Sequence, residues 1–348
     1  MIRLLRQFAR LTRRTDGLII VLGLLLTYLL IQLYGSGLQA AVNEQLAPPA
    51  AAEAPRDQEA EPAAARGVPR GEAAVRFLMY NTQNYFVEAD VARSQHTRRI
   101  KTLQERELVA DTVAEVRPDV VGLVEMGGPA ALDDLAERLA KRGLVYKHRR
   151  VLTRWGEDRA LAILSRYPIV EDHSQAECRL VGQTNRRMLR GILDVTISAP
   201  GKKSERRFRI VGVHLKSRVG DNPSAAQALR AREARTLVEH VQQVMQRKPN
   251  EPLLIFGDWN DGPGDAALSV MTQPRGSRFT LRRLSPVDSR GEGWTLYYKN
   301  GNEYCTFDQI YVNSELSRRM GRKSEMGVIS NEKRRGASDH RAVWCDMR

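Results

Sequence analysis

Cysteine is scarce. The 348 residues contain only Cys178, Cys305 and Cys345, with no CxxC spacing. That argues against a cysteine-built zinc site and allows at most one disulfide. The late pair Cys305 and Cys345 is the place for such a bond if the domain lies outside the cytoplasm. Three buried, unpaired thiols are the default. No internal repeat is apparent, and the length allows one large domain or two small ones. Acid is also in short supply: 41 Asp and Glu face 55 Lys and Arg, a formal net charge of +14. Residues 1–70 hold eight arginines and six acids, so about +12 belongs to the remainder. A balance of that sign favours a polyanionic partner, either nucleic acid or an anionic membrane surface. There are six histidines, and His96, His148, His173 and His240 stand in no motif.

The ends of the chain differ in character. Arg3, Arg6, Arg10, Arg13 and Arg14 precede an uncharged apolar run from Gly17 to Tyr34. A helix needs ~20 such residues to cross a bilayer, and this run is close to that length. By the positive-inside rule, residues 1–16 form a cytoplasmic basic segment, 17–34 a transmembrane anchor, and the rest lies outside the cytoplasm, periplasmic or extracellular. The rival is a cleaved signal peptide, which would make the protein secreted. Its apolar core is normally ~7–15 residues followed by a small-x-small site. The sites offered here, Gly35-Ser36-Gly37 and the Ala40-Ala41 region, are poor. Residues 35–72 are rich in Ala, Pro and Glu and read as an extended linker. Residues 73–348 then form the folded domain.

Two short motifs near the C-terminus carry the chemistry. Gly257-Asp258-Trp259-Asn260-Asp261 follows the apolar run Pro252–Phe256, and Ser338-Asp339-His340-Arg341 precedes Ala342-Val343-Trp344. Asp258 and Asn260 are two apart at a strand end, so their side chains point the same way. A carboxylate and an amide so placed can share one water or one phosphate. Upstream, strand-like runs end in Asn81, in Glu125 and in His214, and Asp308 lies on a further one. Carboxylates for a hard cation, imidazoles for protons or charge and amides for orientation are what phosphate chemistry needs. Catalytic groups collect at strand ends in α/β scaffolds.

Periodicity predicts helices over Thr97–Val116, Ala130–Lys141 and Ser224–Gln246, and strands over Val145–Val151 and Ala160–Leu164. Arg190–Ile197 and Phe208–His214 read as a hairpin. By itself this pattern gives mixed α and β.

The ordered set Asn81, Glu125, His214, Asp258 with Asn260, Asp308, and Asp339 with His340 resembles the endonuclease/exonuclease/phosphatase superfamily. The resemblance covers roughly residues 73–348. It implies an α/β fold, a four-layer α/β/β/α sandwich, here preceded by one transmembrane helix and a linker. It implies a Mg²⁺-dependent phosphoesterase, with Mn²⁺ or Ca²⁺ as alternatives. Glu125 would be the first metal ligand, with Asn81 and Asp339 beside it. Asp258 would prepare the attacking water and Asn260 orient it. His340 would face the phosphate, with Asp308 on its far nitrogen, and His214 would be a second catalytic imidazole. Gln83 departs from relatives that carry an acid there, and Asn84 reads as a loop residue. Arg159 and Arg190 are candidate phosphate clamps, although each taken alone reads better as a solvated arginine, and Lys216 is a further candidate contact for an anionic substrate. The basic cluster Arg318, Arg319, Arg322, Lys323 and Lys333–Arg335 could face DNA or a membrane. Nucleic acid is the leading substrate, on charge. A phospholipid or small phosphoester is the alternative, for which Trp294, Tyr297 and Tyr298 offer a modest aromatic surface. A catalytically silent scaffold is the third reading. A monomer is the default.

Overall fold

The computed structural model describes residues 74–348, apart from 92–98, 202–203, 221, 266–267, 273–279, 300, 322–323, 331 and 333–335. The chain divides into two units, Met1–Ala63 and Ala64–Arg348, and every described residue belongs to the second. The basic segment, apolar run and linker expected over residues 1–72 therefore lie outside the described residues, as do Arg322, Lys323 and Lys333–Arg335. Among the described residues no helix is long and apolar enough to cross a membrane.

Two six-stranded sheets make up the domain. The first contains β1 (Val75–Tyr85), β2 (Val120–Met126), β3 (His148–Arg154), β4 (Glu157–Ser165), β13 (Met326–Val328) and β14 (Val343–Met347), in the order β13-β14-β1-β2-β4-β3. The second contains β5 (Ile169–Asp172), β6 (Leu193–Ala199), β7 (Arg206–His214), β8 (Leu253–Asp258), β9 (Leu281–Arg283) and β12 (Asp308–Asn313), in the order β5-β6-β7-β8-β12-β9. A separate hairpin joins β10 (Leu296–Tyr298) to β11 (Glu303–Cys305).

Each sheet has one parallel pair, β1 with β2 and β7 with β8. Parallel neighbours need a crossover, usually a helix. The first crossover carries α1 (Glu88–Val91) and α2 (Leu103–Val116), and the second is α4 (Pro223–Arg247). Helix α2 begins later than its apolar pattern predicts because Thr102 and Glu105 form a reciprocal capping box. Helix α3 (Pro129–Ala140) starts with proline in its first turn, where the missing N–H costs nothing. Asn222 caps α4 through the Ala225 N–H. Two short helices, α5 (Ser269–Thr272) and α6 (Ser314–Met320), complete the set among the described residues.

Among the described residues four apolar clusters hold these elements together, the smallest being Leu296, Cys305 and Phe307 at the β10–β11 hairpin. One lies between the inner faces of the sheets and includes Phe77, Met79 and Ile163 from the first and Phe208, Ile210 and Ile310 from the second. A second joins the outer face of the first sheet to α2 and α3 through Val109, Val113, Leu132 and Leu135. A third seats α4 on the second sheet through Leu237, Val241 and Met245. Phe256 sets the spacing between the sheets. A Cβ placed on Gly122 of β2 or on Gly212 of β7 would fall 2.6 Å from its ring, so both positions need glycine.

The three cysteines are free and buried. Cys305 lies on the separate hairpin and Cys345 on β14 of the first sheet. The pair is therefore not bonded, and the default of three unpaired thiols holds.

Candidate active site

The site is assembled from strand ends. Asn81 lies near the end of β1 and Glu125 near the end of β2, while His214 closes β7 and Asp258 closes β8. Asp258 pairs in register with His214 on one side and with Asp308, which opens antiparallel β12, on the other. Residues paired in register share a face, so three strands line up an imidazole and two carboxylates in a row. His340 joins from the loop before β14 and is bridged to Leu296 at the base of the β10–β11 hairpin.

The backbone is bent where these groups converge. Gln83, Asn84, Glu125 and Asn260 have φ of 51°, 57°, 60° and 51°, in the left-handed region. Such conformations cost of order 1–3 kcal/mol each and persist only where the surroundings enforce them. Pairing of β1 with β2 slips between Asn81 and Tyr85, and that of β2 with β4 slips between Leu123 and Met126. These irregularities re-aim Glu125 out of the strand alternation, as bulges beside active sites do.

Asp258 is the hub. Its Oδ2 accepts from Asn81 Nδ2 at 2.9 Å and its Oδ1 from the Asn260 N–H at 2.9 Å. The same Oδ2 is 3.7 Å from His214 Nε2 and 3.9 Å from His340 Nε2. His340 Nδ1 bonds Asp308 Oδ2 at 2.7 Å. On the other flank, Glu125 Oε1 is 3.8 Å from His214 Nε2 and 3.5 Å from Arg159 Nε. Asn84 holds this flank: its N–H donates to Glu125 Oε2 at 3.1 Å, and its Oδ1 accepts from Arg159 at 2.7 Å. Asn260 Nδ2 donates to Leu215 O at 3.1 Å, which ties the motif to the end of β7.

These surroundings separate the protonation behaviour of the three central groups. Burial pushes Asp258 up to about 7; His340 opposes the shift, while Asp308 and Glu125 add to it. Burial also works against charge on His340, but the charge and hydrogen bond of Asp308, then Asp258 and Asp339, outweigh it and raise His340 well above its ordinary value. Burial, followed by the charges of Arg190 and Arg159, holds His214 well below its ordinary value. Environments that drive neighbouring groups apart in this way mark acid–base sites.

Of the residues expected from sequence, Asn81, Glu125, His214, Asp258, Asn260, Asp308 and His340 are brought together. Asp339 sits at the rim with its side chain 46% exposed, 3.9 Å from His340 Nε2. Its N–H donates to Gln83 Oε1 at 3.1 Å, which makes Gln83 a tie between two loops. Lys216 turns its Nζ onto the carbonyls of Ser217 and Val219. Arg190 is buried, 3.3 Å from Glu157.

Several supporting residues carry no signature in the sequence. Asp261, which reads as part of a turn, is buried and pairs with Arg230 at 2.8 Å. Thr295 Oγ1 accepts the N–H groups of Phe307 and Asp308 and so fixes the start of β12. Arg341 spans the same loop by donating to Trp294 O at 3.1 Å and to Asp288 at 2.6 Å. Only its adjacency to His340 could have drawn attention to it.

Asp258, Asp308 and His340 offer ligand-type atoms within 4.8 Å of one another. The His340 ring is committed to Asp308 and is held charged, so it is a poor ligand. The oxygens fit a hard cation better. Asp308 Oδ1 is buried without a partner among the described residues, and the crowding of Asp258 by Asp308 and Glu125 is of the kind a cation would offset.

The Endonuclease/Exonuclease/phosphatase family matches residues 87–340. No curated protein matches the chain in sequence. Among solved structures, an endonuclease/exonuclease/phosphatase from Bacteroides vulgatus is 15% identical, with a TM-score of 0.55, covering 80% of this chain and 99% of that one. Staphylococcus aureus beta toxin is 16% identical, with a TM-score of 0.54, covering 78% and 99%. The human Nocturnin catalytic domain with bound sulfate is 17% identical, with a TM-score of 0.52, covering 79% and 94%. At these identities the likeness is one of fold. The match over residues 87–340, which include Glu125, His214, Asp258, Asp308 and His340, shows that the chain belongs to the endonuclease/exonuclease/phosphatase family.

Proposed function

We propose that the protein is a Mg²⁺-dependent phosphodiesterase that cleaves nucleic acid, held at a membrane by residues 17–34 with its catalytic domain outside the cytoplasm. The observation that carries the chemistry is the placement of one buried carboxylate, Asp258, between two imidazoles whose protonation its surroundings drive in opposite directions. The nucleic-acid part rests on the charge of about +12 beyond residue 70.

Glu125, Asn81 and Asp339 would hold the cation through oxygen. Bound there, a divalent cation neutralises charge on a phosphate oxygen. Asp258 takes a proton from the attacking water. A carboxylate lifted to about 7 is a stronger base than an ordinary one and still ionises near neutral pH. Asn260 positions the carboxylate through its N–H. His340, kept charged by Asp308, offers Nε2–H to the phosphate or to the leaving oxygen. His214 stays neutral and serves as a hydrogen-bonding wall on the Glu125 side, so His340 is the better proton donor of the two.

One feature favours a lipid reading. The β10–β11 hairpin beside His340 stacks Tyr297 and Trp294 on Tyr304, which is 67% exposed. Aromatic surfaces of this kind also suit a membrane interface.

The test is hydrolysis by the full chain with Mg²⁺ or EDTA, on plasmid DNA, phospholipid vesicles and small phosphate monoesters, beside an Asp258→Ala control. Metal-dependent DNA nicking absent from the control is expected. Headgroup or phosphate release without nicking would move the protein to the lipid or phosphatase branch. A folded chain inactive on all three would favour a silent scaffold.

A further inference from the structure

Arg190 is the feature the proposed chemistry leaves unexplained. It is 6% exposed, and its Nε and Nη1 have no hydrogen-bond acceptor among the described residues. Glu157 lies 3.3 Å from Nε without hydrogen-bond geometry, and the Glu233 carboxylate is near enough to feel the Arg190 charge. Buried polar groups are nearly always satisfied, because stripping water from them is costly. A guanidinium left open in this way needs a reason.

The surrounding fold holds Arg190 in place. The Leu189 N–H donates to Glu233 Oε1 at 3.0 Å, and the Lys216 N–H donates to Glu233 Oε2 at 2.7 Å. One fully buried carboxylate on α4 thus ties the residue before Arg190 to the residue two past His214. Arg154 donates to Leu189 O at 3.1 Å. Gly191, at φ 71°, lets the chain turn against Gln175, whose carbonyl would lie 2.3 Å from a Cβ there. The arginine therefore starts from a backbone fixed on both sides, beside the catalytic strand end.

Its position relative to the reaction centre matters. Glu157 and Arg159 are two apart on β4 and share a face, and Arg159 reaches Glu125. Arg190 meets this flank at Glu157 and makes no hydrogen bond or ion pair with Asp258, Asp308 or His340 among the described residues. It stands one side chain back from the reacting groups, on the His214 side. Arg159, Arg190 and Lys216 gather there around Glu125, Glu157 and Glu233. A planar fork with open N–H groups matches a phosphate, which accepts two parallel bonds from it.

We propose that Arg190 seats a second phosphate group of the substrate, next to the one that is hydrolysed. This rests on the reading of the chain as a phosphodiesterase and narrows it to substrates with adjacent phosphates. A polynucleotide supplies such a group, and so does a phosphorylated inositol-lipid headgroup; a phosphocholine headgroup does not.

The test has a binding arm and a turnover arm, both on the full chain. In the first, pyrophosphate and orthophosphate are titrated calorimetrically in EDTA into wild type, Arg190→Lys and Glu157→Gln. Arg190→Lys keeps the charge but loses the fork, so pyrophosphate affinity falls at least tenfold and orthophosphate affinity falls less. Glu157→Gln removes a competing acid and tightens pyrophosphate several-fold. In the second arm, KM is compared for a dinucleotide with and without a terminal phosphate, and for vesicles of phosphatidylinositol 4-phosphate against phosphatidylinositol. In Arg190→Lys the rise in KM is at least tenfold greater for the phosphate-bearing member of a pair, and the affected pair names the source. Equal losses on both members would place Arg190 on the reacting phosphate and overturn the proposal. Unchanged pyrophosphate affinity in both variants would mean that water alone satisfies Arg190, and would overturn it too. A wild type inactive on every substrate defeats the phosphodiesterase reading, while the binding arm still decides the subsite.

Discussion

Replacing Asp258 with asparagine should abolish activity and yet stabilise the metal-free protein at alkaline pH. The carboxyl is 2% exposed and is pushed up to about 7, from ~3.9 for an unperturbed aspartate. Three units at about 1.36 kcal/mol each mean that keeping it ionised costs the fold roughly 4 kcal/mol at pH 8. The sign follows from the raised value. The penalty is absent below about pH 4, grows through the interval up to about 7, and is complete above it. Asparagine removes the charge but has one acceptor oxygen where Asp258 uses two, for Asn81 Nδ2 and for the Asn260 N–H. A donor left without its acceptor costs about 1–3 kcal/mol. The net gain is then roughly 1–3 kcal/mol at pH 8, or about 2–4 °C of Tm per kcal/mol for a domain of this size. At pH 4 the gain vanishes and the variant is level with wild type or below it. Thermal unfolding in EDTA at the two pH values measures the difference directly. A variant no more stable than wild type at pH 8, or equally stabilised at pH 4, would refute the reasoning.

Glu125→Gln should lose the rise in Tm that Mg²⁺ gives wild type, about 2.7 kcal/mol at a hundredfold excess over Kd; an undiminished rise would place the cation elsewhere. In wild type the His340 ring should remain protonated at pH 7 by NMR titration, and Asp308→Ala should neutralise it and cut turnover by about 10²–10⁴. The Asp308–His340 pair should contribute stability that is full below about pH 6.5 and is lost as pH rises through the raised value of His340; a wild-type ring already neutral at pH 7 would contradict both statements. Phe256→Ala should cost about 3–5 kcal/mol in chemical denaturation, because the ring fills the space above Gly122 and Gly212. A loss under 1 kcal/mol would mean the sheets collapse to fill it.

Much of this arrangement was legible in the sequence, for a physical reason. Strands of a two-sheet domain are apolar runs, and the reactive groups sit where those runs stop, so Glu125, His214 and Asp258 announce themselves by position. The long helices were legible through their apolar spacing, with ends displaced by caps such as Thr102 and Asn222. The supporting residues were not. Glu233 looks like any helix glutamate, yet it accepts two backbone N–H groups from segments 17 and 44 residues away. Thr295 and Arg341 act on Asp308 and His340 through a loop whose path the sequence does not disclose. Asp261 belongs to a turn signal and also to a buried ion pair with Arg230, and only the second role depends on the tertiary fold. The β10–β11 hairpin, three residues on each side, is too short for alternation to reveal.

The central claim is that water attacks phosphorus at Asp258 with help from His340 and a divalent cation. It is tested most directly by cleaving one defined phosphodiester in ¹⁸O-labelled water and weighing the products. With Mg²⁺, wild type should place one ¹⁸O in the phosphate product, while Asp258→Asn and His340→Ala should be slower by about 10²–10⁴. Label in the alcohol product, or full turnover in EDTA or in either variant, would contradict the account.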